Sequence, residues 1–403
     1  MGTSQEPPSC GADLYRDWYR QQYPELQEQA AEWQESMAQW AARYEESLHP
    51  RTLITIPVVV HVVYKDEPQN ISQEQIESQL EVLNADYRAA NSNLDIVPPI
   101  FQNLIADVGI EFCLAAQDPE GKFTTGITRQ ATAKDNIGID TDVHYTDKGG
   151  ADAWDPLHYL NIWVADMGDN IVGRATFPGE APLAEDGVVI DPRYFGTTGL
   201  AAGSDPYHLG RTTVHEIGHY LNLLHPWGSA LPDCAGDDGV LDTPQTDEDY
   251  LLECPTTLQA SCGSLDMYTN FMYYTNDACL AQFTPGQKVR ILATLAGPRL
   301  GLTLSAGCLP SAVGAKAVPE FSLSIRPNPS AGQVVFELLG KEGQDGRLQI
   351  FDSVGKVLYE EKISTGQVRS LKVPAQWADG VYGVRVQTEN GIFAERWILM
   401  RSK

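Results

Sequence analysis

The chain has no apolar run long enough to cross a bilayer as a helix, which would need about 18–20 such residues in succession. A membrane span is not expected. Basic residues are scarce: 28 Lys and Arg stand against 54 Asp and Glu, a net charge of −26, which argues against nucleic acid and anionic membranes as partners. Cationic substrates are favoured instead. Residues 1–10, MGTSQEPPSC, lack the charged start and apolar core of an export signal, and Met1-Gly2 reads as a start that replaces a removed one. None of the seven cysteines forms a CxxC pair, so a thiolate zinc cluster is not expected. Histidine is sparse too, at 8 residues in 403. A local concentration of it is therefore informative.

That concentration is HEIGHYLNLLH, residues 215–225. On a helix His215 and His219 lie four apart and project from one face, with Glu216 beside them. His225 follows six residues later, where a continuing helix would aim it elsewhere, so the chain must turn. Asn222 marks the turn, because Asn tolerates left-handed backbone better than other non-glycine residues. Three imidazoles would hold a zinc ion and leave a fourth position open to water, the mark of a catalytic rather than a structural site. Glu216 is then the base for peptide hydrolysis. Ordinary core or surface histidines are the competing explanation, and their scarcity argues against it.

The extended motif resembles that of the metzincin metallopeptidases, HExxHxxGxxH followed by a methionine-containing turn, with Asn222 at the family's glycine. The segment NFMYYTNDACLAQFTPGQ resembles the turn and supplies Met272. With LNIWVADM, GRATFPG and CAGDDGVLDTPQT it is most similar to the pappalysin-like group, especially secreted bacterial members, over residues 52–310. The resemblance implies that Tyr274 reaches the metal or the tetrahedral oxyanion, and that Asp277 floors a pocket selecting Arg or Lys just after the cut bond. It implies an edge strand containing Gly173, Arg174, Ala175 and Thr176 that pairs with the substrate backbone. It implies disulfides Cys234–Cys262 and Cys254–Cys279; a third between Cys113 and Cys308 would leave Cys10 odd. In CAGDDGVLDTPQT, Asp238, Thr243 and the main chain at Leu241 offer hard oxygens suited to calcium, although the spacing is not an EF-hand. A solvated acidic turn is the alternative.

Three regions and a linker separate along the chain. Residues 1–51 read as a helical pro-segment: Leu14, Trp18, Leu26, Ala30, Trp33, Met37, Trp40, Tyr44 and Leu48 fall near a 3.6-residue period and need a partner. A helical arm or oligomerisation segment would also fit. Ser9-Cys10-Gly11 favours the pro-segment, since a thiolate on an extended peptide is a good zinc ligand and would occupy the water's position, keeping the chain latent. Similar bacterial enzymes carry a Cys-Gly pair in a short pro-segment. Cleavage is expected near Pro50, Arg51 or Thr52, an exposed junction.

Residues 52–310 read as an α/β (α+β) catalytic domain. ITIPVVVHVVY is a buried strand with His61 in the core, followed by a helix opening on a Ser72–Gln75 capping box. Strands IEFCLA, YLNIWVADM, GRATFP and DGVVID follow, then an active-site helix from His208 to Leu224. The order predicts a twisted mixed sheet with helices behind it. Residues 311–320 form a linker. Residues 321–403 hold short strands separated by polar turns, a small β-sandwich. Within it Pro327-Asn328-Pro329, Phe351-Asp352-Ser353-Val354-Gly355-Lys356 and Asp379-Gly380-Val381-Tyr382 resemble the C-terminal sorting domain of the type IX secretion system. That implies the secretion machinery as a partner, and a secreted or cell-surface location. Protein and peptide substrates, zinc and calcium complete the expected list. An adhesion sandwich on a metallopeptidase scaffold that no longer turns over is the alternative, and the intact Glu216 weighs against it.

Overall fold

The computed structural model describes residues 9–42, 53–228, 234–309, 321–328, 330–340, 345–351, 357–377, 380–388, 391–399 and 401. The expected cut at Pro50, Arg51 or Thr52, the 311–320 linker, and Pro329, Asp352 to Lys356 and Asp379 of the sorting motifs lie outside them.

The described chain opens with β1 (Ser9–Cys10), α1 (Ala12–Gln22) and α2 (Gln27–Ala41). Next come β2 (Ile54–Tyr64), α3 (Gln73–Asp86), β3 (Ile110–Leu114), β4 (Ile127–Ala131), β5 (Leu160–Ala165), β6 (Ile171–Ala175) and β7 (Val188–Ile190). The strands form one mixed sheet in the order β1-β6-β7-β5-β2-β3, with β4 also on β2. β6 runs antiparallel to β7, and the other pairs are parallel. β2 is central: it pairs with β5 on one side and divides its other edge between β3 at Ile54–Val58 and β4 at Val60–Tyr64. A strand covered on both faces needs apolar residues at successive positions, which explains the unbroken β-branched run.

His61 lies in this run as a core residue. Its Nδ1 is 2.8 Å from Thr128 Oγ1 and its Nε2 2.9 Å from Asn161 Oδ1, and burial lowers its pKa to about 4. Ser72 caps α3, accepting from Gln75 N, but the reciprocal half of the predicted capping box is absent. Gln75 Oε1 accepts from Leu200 N at 2.9 Å instead, and its amide donates to Pro192 O and Phe195 O, so the side chain is turned into the core where buried backbone groups need partners.

The active-site helix, α4 (Arg211–Tyr220), is shorter at both ends than the sequence suggested. Gly210, at φ 76°, stops it on one side, and a turn at Asn222 on the other. The ribbon β8 (Ala260–Ser261) and β9 (Ser264–Leu265) precedes α5 (Pro285–Ala296), where Thr284 and Gln287 form a full capping box, and α6 (Leu300–Thr303). Helices α3, α4 and α5 close a single core against the sheet.

In the N-terminal helices the buried face differs from the predicted stripe. Ala30 and Met37 are buried, as the period required, but Leu14 and Trp18 are exposed while Tyr15 and Tyr19 are covered. Pro24 breaks the helix, so the registers of α1 and α2 are independent. The tyrosines also carry a hydroxyl that an apolar stripe ignores: Tyr15 donates to Ile139 O, and its ring lies 4.3 Å from the Arg174 guanidinium. Tyr44 and Leu48 lie outside the described residues.

The remaining strands are β10 (Phe321–Arg326), β11 (Gln333–Gly340), β12 (Asp345–Phe351), β13 (Val357–Ser364), β14 (Val368–Lys372), β15 (Gly380–Thr388) and β16 (Gly391–Leu399). They form two antiparallel sheets, β10-β11-β14 and β13-β12-β15-β16, around a core that includes Phe336, Trp377 and Trp397. Disulfides join Cys234 to Cys262, Cys254 to Cys279 and Cys113 to Cys308, and Cys10 is free.

Candidate active site

Helix α4 ends in a backbone motif that the sequence makes possible at one residue. Asn222 has φ 75°; its N–H reaches His219 O at 2.8 Å, and Leu223 N–H reaches Gly218 O at 2.8 Å. These two bonds define a Schellman ending, and they reverse the chain so that His225 returns to the helix face it would otherwise leave. The three Nε2 atoms converge: His215–His219 is 3.0 Å, His219–His225 3.1 Å and His215–His225 3.2 Å.

Each Nδ1 is held from outside. His215 Nδ1 lies 2.8 Å from Phe271 O, His219 Nδ1 2.9 Å from Leu223 O, and His225 Nδ1 2.8 Å from Asp13 Oδ2. With the proton on Nδ1, each lone pair points inward. Burial lowers the pKa of His215 to about 3 and that of His219 well below the usual range, with neighbouring histidines adding to the effect. Three inward lone pairs at this separation repel one another unless a cation lies among them, so the donor set fits a metal ion. Cys10 completes it: its ligand atom and those of the three histidines all lie within 4.8 Å of one another. Three nitrogens and one sulfur suit zinc.

Glu216 is fully buried, and apart from the Cys10 thiol beside it neither carboxylate oxygen has a hydrogen-bond partner. Burial raises its pKa to about 8. Such a group costs on the order of 1–3 kcal/mol or more, so its retention beside the histidines points to chemistry. Gly173 makes room for it: a Cβ there would come 3.0 Å from Glu216 Cγ and 3.3 Å from Oε1. Gly218 has a matching role underneath, where a Cβ would meet Met272 Sδ at 2.5 Å. Met272 is buried below the helix. The Tyr274 ring lies 4.9 Å from that of His225, and Trp227 stacks on His225 at 4.7 Å and 8°.

The edge strand β6 takes a partner through its backbone. Ser9 aligns with Ile171 and Cys10 with Gly173, and Gly11 N–H donates to Gly173 O at 2.8 Å. The side chains of Arg174 and Thr176 are engaged elsewhere: Arg174 Nε donates to Gly138 O, and Thr176 Oγ1 donates to Asp186. Beside the histidines is a cleft lined by Ser9, Cys10, Tyr274 and Asp277 among others. Asp277 is buried, and its Oδ2 accepts from Leu209 N at 2.9 Å and Arg211 N at 3.2 Å. Burial raises its pKa to about 6.

On the loop after the site, Asp238 accepts from Thr243 Oγ1 at 2.7 and 2.8 Å and from Val240 N at 2.9 Å, while Leu241 is fully exposed. Asp13, the acceptors Phe271 O and Leu223 O, Trp227 and the clearance at Gly218 were not anticipated from sequence. Trp227 alone left a trace there, as an aromatic two residues past the third histidine.

Residues 144–296 match the family model described as pregnancy-associated plasma protein-A, and residues 324–400 that described as a secretion system C-terminal sorting domain. An extracellular metalloprotease of Arthroderma gypseum is 28% identical over 246 residues, spanning 59% of this chain and 71% of the relative. Mature mirolysin of Tannerella forsythia, solved with a cleaved peptide, is 41% identical with a TM-score of 0.60, covering 63% of this chain and 97% of that one. A promirolysin mutant from the same organism is 38% identical with a TM-score of 0.64, covering 73% and 97%. The helix, the mixed sheet, the converging histidines and these likenesses agree: the chain is a secreted zinc metalloendopeptidase with a type IX sorting domain, and it belongs to the pappalysin family, Peptidase_M43.

Proposed function

We propose that the protein is made as a zymogen in which residues 1–51 block the site, residues 52–310 perform endoproteolysis with a preference for Arg or Lys just after the cut bond, and residues 321–403 direct export. The observation that carries this is Cys10: the sole free cysteine among the described residues sits on the fourth side of three converging imidazoles. The coverage of this chain rises from 63% for mature mirolysin to 73% for promirolysin, as an N-terminal pro-segment would require.

His215, His219 and His225 would hold the zinc, with Phe271 O and Leu223 O fixing the first two rings. When bound, zinc supplies a Lewis acid for the scissile carbonyl and the attacking water. Glu216 takes the proton from that water and returns it to the leaving amine; its burial raises its basicity toward the range such a shuttle needs. The Tyr274 hydroxyl, which lies beside the Cys10 thiol in the latent chain, would donate to the developing oxyanion once Cys10 leaves. The backbone of β6 at Gly173 and Ala175 would pair with the extended substrate, and the short parallel ladder it forms with Ser9 and Cys10 supports this use of the edge. Mapping every cut made in a peptide mixture, with and without a zinc chelator, tests the reading: no cut, or cuts that persist without metal, would overturn it.

In the full chain, Cys10→Ser is expected to activate several-fold faster than the parent, read as the time course of peptide cleavage after a trace of activating protease. The parent should also show a sulfur in its zinc shell by X-ray absorption. Equal rates with a sulfur-free shell would remove Cys10 from latency. A cut before Arg51 would fit the same preference and make activation autolytic.

We also propose calcium at Asp238, Thr243 and the main chain of Leu241. Burial raises the Asp238 pKa to about 7, a cost that a cation would relieve. Millimolar calcium should then raise the melting temperature by several degrees over a calcium-chelated sample. An unchanged melting temperature excludes it.

A further inference from the structure

We propose that Glu180 and Phe177 form a second specificity subsite, one that takes a basic side chain of the substrate ahead of the cut bond, and that the latent chain fills it with its own Arg16. The inference rests on the reading of residues 1–51 as a removable pro-segment. The path of that segment gives the placement. Ser9 lines the cleft that Asp277 also lines, Cys10 sits at the histidines, and Arg16, on the first turns of α1, sits at Glu180, so the chain reaches Asp277 before Cys10 and Glu180 after it.

The contact is built for a guanidinium. Arg16 Nε lies 2.8 Å from Glu180 Oε2 and one terminal nitrogen 2.7 Å from Oε1, a two-point fork, while its Cζ stands 4.0 Å over the Phe177 ring. That combination of paired donors and an aromatic face selects arginine over lysine, which offers a point charge and no plane. The Phe177 ring is itself 5.3 Å from that of His219, so the slot borders the metal centre rather than a remote surface.

The Glu180 side chain is only 4% exposed. Among the described residues its ion pairs are with Arg16 and with Arg20, at 3.1 Å, and both cations belong to α1. Loss of the pro-segment removes them together. It leaves an acceptor pair above an aromatic floor at the end of the strand on which substrate is expected to lie.

The test uses enzyme activated from the full chain and one peptide frame in which the residue after the cut is fixed as Arg. Each of the four positions before the cut is then set in turn to Ala, Arg, Lys or Glu. At one position Arg should exceed Ala in kcat/KM by about tenfold, the worth of one charge-assisted pair, with Lys between them and Glu below Ala. Glu180→Gln should bring the Arg-to-Ala ratio close to one, while the preference after the cut persists. Phe177→Leu should lower the same ratio part of the way, and it keeps the test open if the first variant folds poorly. A parent with no basic preference before the cut, or a preference that survives in Glu180→Gln, overturns the subsite and leaves the protease standing. If no peptide is cleaved by the parent, the protease reading falls and the subsite with it.

Discussion

Replacing Glu216 with alanine is expected to leave the metal in place and to slow peptide hydrolysis by at least about a hundredfold. The two halves of that result have separate causes. The converging donors are His215, His219, His225 and Cys10, and Glu216 is not among them, so the ion loses no ligand. What disappears is the group that carries the proton from water to the leaving amine. Its burial makes the role specific: the Cys10 thiol beside it leaves with the pro-segment, and no other hydrogen bond then has to break for the carboxylate to exchange protons. Metal content by mass spectrometry and turnover of one good peptide check both halves. Retained turnover would overturn the mechanism; lost metal would show that Glu216 supports the histidines.

The reach of the sequence can be traced residue by residue. The metal centre was legible because its information is local: an i, i+4 pair on a helix, then a residue able to adopt positive φ, then the third histidine. Most strands were legible from alternation and β-branching, but β4, whose ITRQA carries little apolar pattern, and the two-residue strands β8 and β9 were not. The helix bounds were less so, because His208 to Gly210 carry no strong stop signal and Gly210 acts through its φ of 76°. β1 was invisible, since two residues hold no period and the strand exists only by pairing with β6, far along the chain. The buried face of α1 was misread for a related reason. Periodicity ranks Leu14 and Trp18 above Tyr15 and Tyr19, but the site they meet offers Ile139 O and Arg174, which reward a hydroxylated ring. Asp13 on His225 and Arg16 on Glu180 belong to the same class, being contacts across more than 160 positions between groups that are ordinary surface charges until the chain folds.

Asp277→Asn is expected to reduce the preference for Arg over Leu just after the cut bond by tenfold or more, roughly what a buried charge pair contributes when one partner is neutralised. Asn is the informative substitution. Asp277 Oδ2 holds the N–H groups of Leu209 and Arg211, so Asp277→Ala would strand two buried donors and confuse a structural loss with a loss of recognition. The amide oxygen of Asn can still accept both and removes only the charge. The cationic neighbours of Asp277 are Arg211 and His208, but Arg211 pairs with Asp86 at 3.1 Å and His208 with Asp205 at 3.4 Å, which leaves Asp277 available to a substrate guanidinium. The acidic limb of the pH profile gives an independent check. Burial raises the Asp277 pKa to about 6, so the carboxyl is charged above that pH and neutral below it, and the Arg-to-Leu ratio in kcat/KM should decline as the pH falls through about 6. Taking the ratio at each pH cancels any loss of metal from protonated histidines, because both peptides share that loss. An Asn variant with the parent's ranking, or a ratio flat from pH 7.5 to pH 5, would mean that the selecting charge lies elsewhere in the cleft.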